Sequence, residues 1–142
     1  MPNYQWHDKK KIGDFAASQF LGTNSGTFVD WEIITLFYSS LHYVDSFLSE
    51  SQSLDYFMGG HDARKKFIIA FLPIIEANYR LLRHLSEDAR YNGGTTNSDL
   101  ARAKNYYGFI KNKLTPVDCP SCGYKNLVNK GRCEICQTKL PP

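Results

Sequence analysis

The sequence predicts a mainly α-helical protein: an antiparallel bundle of four to five helices, followed by a small cysteine-rich ribbon with a short β-hairpin. Apolar residues recur at helical spacing through residues 1–114, with short glycine- or proline-containing connections between the repeats. All four cysteines lie in residues 115–142. We therefore divide the chain into a helical unit, 1–114, and a ribbon, 115–142. Pro116 marks the hinge, because proline ends a preceding helix.

Two segments each show one apolar stripe at steps of three and four residues. The first begins after Asp30, its predicted N-cap, and its stripe consists of Ile34, Phe37, Leu41, Val44 and Leu48. The second closes the helical unit, with Asn97 or Ser98 as its predicted cap, and its stripe consists of Leu100, Ala103, Tyr107, Ile110 and Leu114.

Residues 61–91 also predict helix, but Pro73 interrupts them, so we expect one helix before it and one after it. Their apolar side consists of Phe67, Ile68, Phe71, Ile74, Ile75, Leu82, Leu85 and Ala89. Residues 12–21 predict a short first helix. Segments 58–60 and 92–94, each with paired glycines, predict loops.

Composition restricts the class of protein. The hydrophobic fraction of 42% is enough for a core, and the formal net charge of +3 permits nucleic-acid contact without requiring it. The polar N-terminus lacks the apolar stretch of a signal peptide, and no apolar run approaches the ~20 residues that cross a bilayer. We therefore expect a cytoplasmic protein with reduced thiols and no membrane contact. The sequence carries no phosphate-binding glycine-rich loop, His-Glu-x-x-His helix or Gly-x-Ser-x-Gly elbow.

The four cysteines form two Cys-x-x-Cys pairs, Cys119 with Cys122 and Cys133 with Cys136, separated by ten residues. Each pair can turn two sulfurs toward one metal ion, and four thiolates suit a structural tetrahedral zinc. Gly123 suits the first turn because glycine adopts positive φ. We expect a hairpin between the two turns. The alternatives are two disulfides in a secreted protein and an iron–sulfur or redox site.

Polar residues line one face of the helix after Pro73. Arg80 and His84 are one turn apart, Arg83 and Arg90 lie alongside, and His61 and Arg64 are neighbours on the preceding helix. An arginine that holds phosphate beside a histidine that moves a proton suits metal-independent RNA cleavage. The alternative is a solvated helix face, because three i,i+4 pairs of opposite charge occur there: Glu76–Arg80, Arg83–Glu87 and His84–Asp88.

Other polar and aromatic residues favour structural roles. His42 shares a helix side with Tyr38 and Asp45, where a histidine often satisfies a hydrogen bond. Aromatic rings at helical spacing can stack on bases but more often pack in a core. They are Trp31, Phe37, Tyr38, Tyr43, Phe47, Tyr106 and Tyr107.

Three segments resemble the HEPN superfamily over residues 28–114: Asp30 to Asp45, His61 to Arg64, and Tyr79 to Tyr91. The likeness is to bacterial HEPN-like proteins with a Phe-Tyr-x-x-Leu-His helix and a later Ser-x-x-x-Arg-Tyr ending. Residues 119–136 resemble zinc ribbons. The resemblance implies an up-and-down helical bundle, often dimeric, that acts in toxin–antitoxin, defence or RNA-processing systems.

Catalytic HEPN proteins are metal-independent ribonucleases in which an arginine is followed, after four to six residues, by a histidine. Here only three residues separate Arg80 from His84, which favours a homodimeric binding module for RNA or a protein partner over an enzyme. The alternatives are a ribonuclease that uses Arg80 and His84, and a purely structural interaction protein. In either RNA-related case the expected phosphate contacts are His61, Arg64, Arg83 and Arg90.

Overall fold

The computed structural model describes residue 17 and residues 28–51, 60–126 and 131–141. The predicted mainly α-helical fold is confirmed. The elements in this part of the chain are helices α1 Val29–Ser51, α2 Gly60–Phe71, α3 Glu76–Glu87 and α4 Asn97–Leu114, and strands β1 Val117–Asp118 and β2 Lys125–Asn126. Most of the helix predicted over residues 12–21 lies outside these residues, as do Met58 and Gly59 of the first predicted loop.

Helix α1 is the centre of the helical unit and packs against both α3 and α4. The whole predicted stripe of α1 is buried, together with Ile33 and Leu36. Full burial of such a side chain contributes about 1.5–3 kcal/mol. The buried stripe of α4 faces the same core, except that Leu100 at its start is only partly buried. These two stripes therefore place the other helices around α1.

Both predicted helix caps are wrong by one or two residues. Helix α1 begins at Val29, so Asp30 lies in its first turn, where its carboxylate accepts a hydrogen bond from the hydroxyl of Thr95. Helix α4 is capped by Thr96, whose hydroxyl accepts from the amide of Asp99, while the Asp99 carboxylate accepts from the amide of Thr96. This reciprocal capping box satisfies two backbone amides, whereas the side chain of a single Asn or Ser cap satisfies one.

The predicted break at Pro73 is confirmed. Helix α2 ends at Phe71, and a 3₁₀ turn over Pro73–Ile75 leads into α3. Phe71 and Ile74 were placed on the apolar side, but their side chains are 44% and 47% exposed. Phe71 and Ile74 lie on either side of the break, so the apolar stripe of one helix does not continue in register into the next. At the far end, a π-helical turn over Asp88–Asn92 extends α3.

Helix α4 ends at Leu114, and the ribbon follows directly. The helix stops there because Thr115, the residue before Pro116, has an extended backbone. Strand β1 pairs antiparallel with β2, Val117 opposite Asn126. The hairpin expected between the two cysteine turns falls mostly on residues 127–130, which lie outside the described residues. Among the described residues, β1 and β2 bracket the first turn, and an isolated bridge between Arg132 and Lys139 brackets the second. In both turns, the residues before the first cysteine pair with the residues after the second.

The described apolar core falls into two clusters. The larger belongs to the helices, and the smaller consists of Cys119, Cys133 and Leu140. A helix that combines the length and apolarity of a membrane span does not occur among the described residues.

Candidate functional site

The four cysteines meet at one point of the ribbon. Their sulfur atoms all lie within 4.8 Å of one another, with Cys119 Sγ 3.5 Å from Cys136 Sγ and Cys122 Sγ 3.6 Å from Cys133 Sγ. A disulfide needs about 2.05 Å, so none of these pairs is bonded. Four sulfurs around a tetrahedral ion with bonds of about 2.3 Å are about 3.8 Å apart. The donor set and spacing therefore fit a metal ion.

The two cysteine turns have the same backbone geometry. In the first, the amide of Cys119 donates to Tyr124 O and the amide of Gly123 donates to Cys119 O, both at 2.9 Å. In the second, the amide of Cys133 donates to Thr138 O at 2.8 Å and the amide of Gln137 donates to Cys133 O at 3.1 Å. Each turn thus presents its pair of sulfurs in the same way.

The residue directly after the second cysteine of each turn has positive φ. Gly123 has φ 72° and Gln137 has φ 61°. Glycine at the first position was expected and is confirmed. The second position was missed, because a glutamine carries no signal for a conformation that L-residues rarely adopt.

Asn126 connects the two turns and was also missed from the sequence. Its side-chain oxygen accepts a hydrogen bond from the amide of Glu134 at 2.9 Å, and its side-chain nitrogen donates to Tyr124 O at 3.0 Å. Asn126 is completely buried. A buried side chain that satisfies two backbone groups fixes the relative position of the turns that carry them. No local pattern marks this asparagine, since its partner on the second turn is eight residues away.

The environment of Cys133 prepares it as a ligand. Desolvation opposes ionisation, but hydrogen bonds from the amides of Cys136 and Ile135 lower the pKa of Cys133 to about 6. A lowered pKa favours the thiolate, which is the form that binds metal. With four sulfur ligands the coordination sphere is closed, so a bound ion would shape the ribbon and would have no open position for substrate.

In the helical unit, a second group of polar residues surrounds a small pocket between α2 and α3. The pocket has a volume of about 70 Å³, well below the ~300–1,000 Å³ of sites for drug-sized ligands. Its size suits a phosphate group better than a base. Its walls are formed by Lys65, Ile68, Glu76, Tyr79, Arg80, Arg83 and His84. The structure therefore brings the predicted Arg80, Arg83 and His84 together and adds Lys65, which sequence reasoning had not selected.

The two pocket arginines each have a carboxylate partner. Arg80 Nε donates to Glu76 Oε1 at 3.2 Å, and Arg83 Nε donates to Glu87 Oε1 at 2.8 Å. Both are i,i+4 pairs, as expected for a solvated helix face. The guanidinium of Arg80 is about half exposed, and that of Arg83 is partly exposed. Both groups thus remain within reach of a ligand in solution.

Arg64 is placed differently from the other candidates. It is buried and makes a bidentate ion pair with Asp45 of α1, with Nε 2.7 Å from Oδ1 and Nη2 3.1 Å from Oδ2. The pair joins α2 to α1 inside the unit. The hydroxyl of Tyr79 is also buried and has no hydrogen-bond partner within the described residues. Arg64 thus joins α2 to α1 inside the helical unit and does not line the pocket.

His61 lies beside this ion pair, with Nδ1 3.5 Å from Nη1 of Arg64. Burial lowers the pKa of His61, and the positive charges of Arg64, Arg83 and Arg90 lower it further. The imidazole is therefore neutral at pH 7 and lies close to the exposed arginines. His42, in contrast, is buried in the helical unit.

Arg90 is positioned by aromatic rings. Its guanidinium carbon lies 5.8 Å from the ring centre of Tyr38 and 5.3 Å from that of Tyr91, and Nη1 donates to the Tyr38 hydroxyl at 3.2 Å. Tyr38 was expected in the core but is 36% exposed, as is Trp31 at 60%. These contacts link α1 to the π-helical turn across 52 residues of sequence, which no local pattern reveals.

No family model, curated protein or solved structure matches this chain.

Proposed function

We propose that this chain is a zinc-containing module that binds single-stranded RNA through its helical unit. The observation that carries the proposal is the pocket between α2 and α3, where Lys65, Arg80, Arg83 and His84 surround one cavity of phosphate size. Arginine and lysine bind phosphate oxygens through charge-assisted hydrogen bonds. The HEPN-like segments of the sequence include three of these four residues and support an RNA ligand.

The carboxylates beside the arginines do not prevent this binding. An incoming phosphate exchanges with Glu76 and Glu87 as the partner of each guanidinium. Exposed ion pairs of this kind contribute only about 0–1 kcal/mol. The exchange is therefore inexpensive, and the carboxylates hold the arginines in extended conformations until a ligand arrives.

The test is the affinity for a fluorescent eight-nucleotide RNA in 0.1 M salt, measured by anisotropy for the native chain and for Arg80→Gln/Arg83→Gln. Each lost phosphate contact on a single strand weakens binding about fivefold at this salt, so the double variant is expected to lose about 25-fold. Arg102→Gln/Lys113→Gln is the matched control. It removes the same charge from α4, which contributes no residue to the pocket, and it should bind within about threefold of the native chain.

Equal affinity of both double variants would show that general charge, not the pocket, attracts RNA. A native chain that does not bind RNA would contradict the proposal and favour a protein partner for this surface.

A second candidate function is metal-independent RNA cleavage, favoured by the position of Arg80 and His84 on the wall of the same pocket. His84 would take the proton of a ribose 2′-hydroxyl, whose oxygen attacks the adjacent phosphorus. Arg80 would stabilise the negative charge of the phosphorane. The 5′ oxygen leaves with a proton from solvent or the imidazolium, and the products are a 2′,3′-cyclic phosphate and a 5′-hydroxyl.

A cleavage assay in EDTA distinguishes this activity from binding alone. Mixed RNA oligonucleotides are incubated with the native chain and with Arg80→Ala/His84→Ala, briefly enough that metal analysis finds the ribbon ion still bound. Cleavage that disappears in the variant would establish the ribonuclease. Intact RNA with both proteins, together with retention of RNA by the native chain, would establish the binding module.

For the ribbon we propose zinc, because four thiolates in a closed tetrahedral site are typical of structural zinc. A segment of this size buries too little apolar surface to fold alone, so the ion would supply its folding energy. Elemental analysis of the purified chain should find one zinc per molecule, and Cys133→Ser should reduce that content sharply. Iron instead of zinc would contradict the assignment.

A further inference from the structure

A groove of about 340 Å³ lies between the start of α1 and the π-helical turn that extends α3. This volume falls within the ~300–1,000 Å³ of small-molecule sites. π-Helical turns are rare and often occur at functional sites. The groove is lined by Asp30, Trp31, Ile34, Tyr38, Ala89 and Arg90.

The groove presents aromatic rings to solvent. Trp31 and Tyr38 are seven residues apart on α1, so they lie on the same side of the helix two turns apart. Ile34 between them is buried and belongs to the core, which anchors this part of α1. The rings are therefore held on a rigid element, and neither is needed to fill the interior.

Arg90 forms the opposite wall and is held in one orientation. Its Nη1 donates to the Tyr38 hydroxyl at 3.2 Å and its Nε donates to Ser86 O at 3.3 Å. The rings of Tyr38 and Tyr91 both lie within about 6 Å of the Arg90 guanidinium, with centres 5.8 Å and 5.3 Å from its carbon. A planar guanidinium fixed in this way offers a surface on which another planar group can stack.

Two polar atoms of the groove remain open within the described part of the chain. Arg90 Nη2 has no hydrogen-bond acceptor, and Asp30 uses Oδ1 for Thr95, which leaves Oδ2. A ligand here thus meets aromatic rings, one donor and one acceptor. Asp30 and Arg90 carry opposite charges, so the groove has no net preference for a cation or an anion, and an aliphatic group would leave both polar atoms unpaired. A planar heterocycle with its own donors and acceptors fits all of these features.

The groove and the phosphate-sized pocket lie along the same helix. Arg83 of the pocket and Arg90 of the groove are seven residues apart, about 10 Å along the axis, and the charges of both lower the pKa of His61. Stacked nucleotides advance ~3.4 Å each, so this distance spans about three of them. We infer that the groove stacks a nucleobase of the single-stranded RNA whose phosphates the pocket binds. This inference rests on the proposed function.

The test compares an eight-nucleotide RNA with an abasic oligonucleotide that has the same phosphates. The chain has two tryptophans, so Trp6→Phe makes Trp31 the sole fluorescent reporter. The RNA should quench Trp31 fluorescence, and the abasic oligonucleotide should bind without quenching. Because base stacking on one aromatic ring is worth about 1–3 kcal/mol, Trp31→Ala and Tyr38→Ala should each weaken RNA binding about 5- to 150-fold, measured by anisotropy.

Two controls separate stacking from loss of structure. Tyr38→Phe keeps the ring and should bind within about threefold of the native chain. Phe109→Ala removes a ring that is also 36% exposed and lies 5.6 Å from the Lys113 amine, but it is outside the groove. It should leave affinity unchanged. Circular dichroism should give the same helix content for all four variants.

The outcomes distinguish the two proposals. Equal affinity for RNA and abasic oligonucleotide, with no effect of Trp31→Ala or Tyr38→Ala, would overturn the base site while leaving the phosphate pocket intact. Failure of the native chain to bind either oligonucleotide would contradict the proposed function itself. Quenching of Trp31 by adenosine monophosphate at the same concentration as the RNA would assign the groove to a free nucleotide and overturn the assignment to an RNA strand.

Discussion

The side-chain oxygen of Asn126 accepts a hydrogen bond from the backbone amide of Glu134 at 2.9 Å, which joins strand β2 to the second cysteine turn. Both sulfurs of each turn must reach the same ion, so the metal site depends on this connection. Partners of this kind outside the coordination sphere typically change metal affinity by about 10- to 100-fold. Asn126 is therefore expected to contribute to metal affinity although it is not a ligand.

We expect Asn126→Ala to weaken zinc binding by about 10- to 100-fold, because it removes the side chain that accepts from the amide of Glu134 and donates to the carbonyl of Tyr124, and so joins the two turns. Competition with a chromophoric chelator measures this affinity. The control is Asn112→Ala, at an exposed position of α4, which should leave the affinity unchanged. An unchanged affinity for Asn126→Ala would mean that the ion alone fixes the two turns.

A Gly→Ala substitution should have opposite effects at two positions. Neither Gly123 nor Gly108 has an atom near the added methyl group, but Gly123 has φ 72°. Gly123→Ala should cost about 1–2 kcal/mol, or about 5- to 30-fold in zinc affinity. Gly108→Ala, inside α4, should raise the free energy of unfolding by about 0.5–1 kcal/mol. Chelator competition measures the effect of Gly123→Ala, and urea unfolding measures that of Gly108→Ala. If both substitutions were unfavourable or both favourable, the difference in φ between the two glycines would not explain their roles.

The ion pair between Arg64 and Asp45 should carry a large structural effect. Arg64→Met removes the bidentate guanidinium partner of a buried carboxylate and is expected to lower the free energy of unfolding by about 3–5 kcal/mol. The double variant Asp45→Leu/Arg64→Met should recover most of this loss, because no isolated charge remains. Arg80→Gln, which breaks the exposed pair with Glu76, should cost less than about 1 kcal/mol. Urea unfolding provides all three values, and a small effect of Arg64→Met would place Arg64 among the ligand-binding residues.

His61 should titrate below its ordinary pKa of 6.5, because burial and the nearby arginines disfavour the imidazolium. NMR titration of the native chain, with His61→Gln to assign the signal, measures this directly. A depressed pKa in the folded state contributes stability that is present above pH 6.5 and is lost as the pH falls through the folded-state pKa. His61→Gln should therefore remove part of the loss of stability in acid. A titration midpoint of His61 above pH 6.5 would contradict the placement of His61 near Arg64, Arg83 and Arg90.

Periodic and closely spaced features could be predicted from the sequence. The stripe of α1, the break at Pro73 and the clustering of the four cysteines each depend on residues a few positions apart, and the structure confirms them. The caps were off by one or two residues because several polar residues in one turn are equivalent until the helix forms.

Features that depend on distant residues could not be predicted. Burial of Arg64 follows from Asp45, which is 19 residues away, and the fixed orientation of Arg90 follows from Tyr38, which is 52 residues away. The apolar stripe of α1 predicts a buried Phe37 and leaves the adjacent Tyr38 outside it. It does not reveal that the Tyr38 hydroxyl contacts Arg90.

The salt dependence of RNA binding tests the central claim most directly. For the native chain, the logarithm of the binding constant should fall linearly with the logarithm of salt concentration, and Arg80→Gln/Arg83→Gln should reduce the slope by about 1.4, or about 0.7 for each phosphate contact. Trp31→Ala should lower the affinity without changing the slope. The same slope for the native chain and the arginine variant would contradict the claim that the pocket between α2 and α3 binds RNA phosphates.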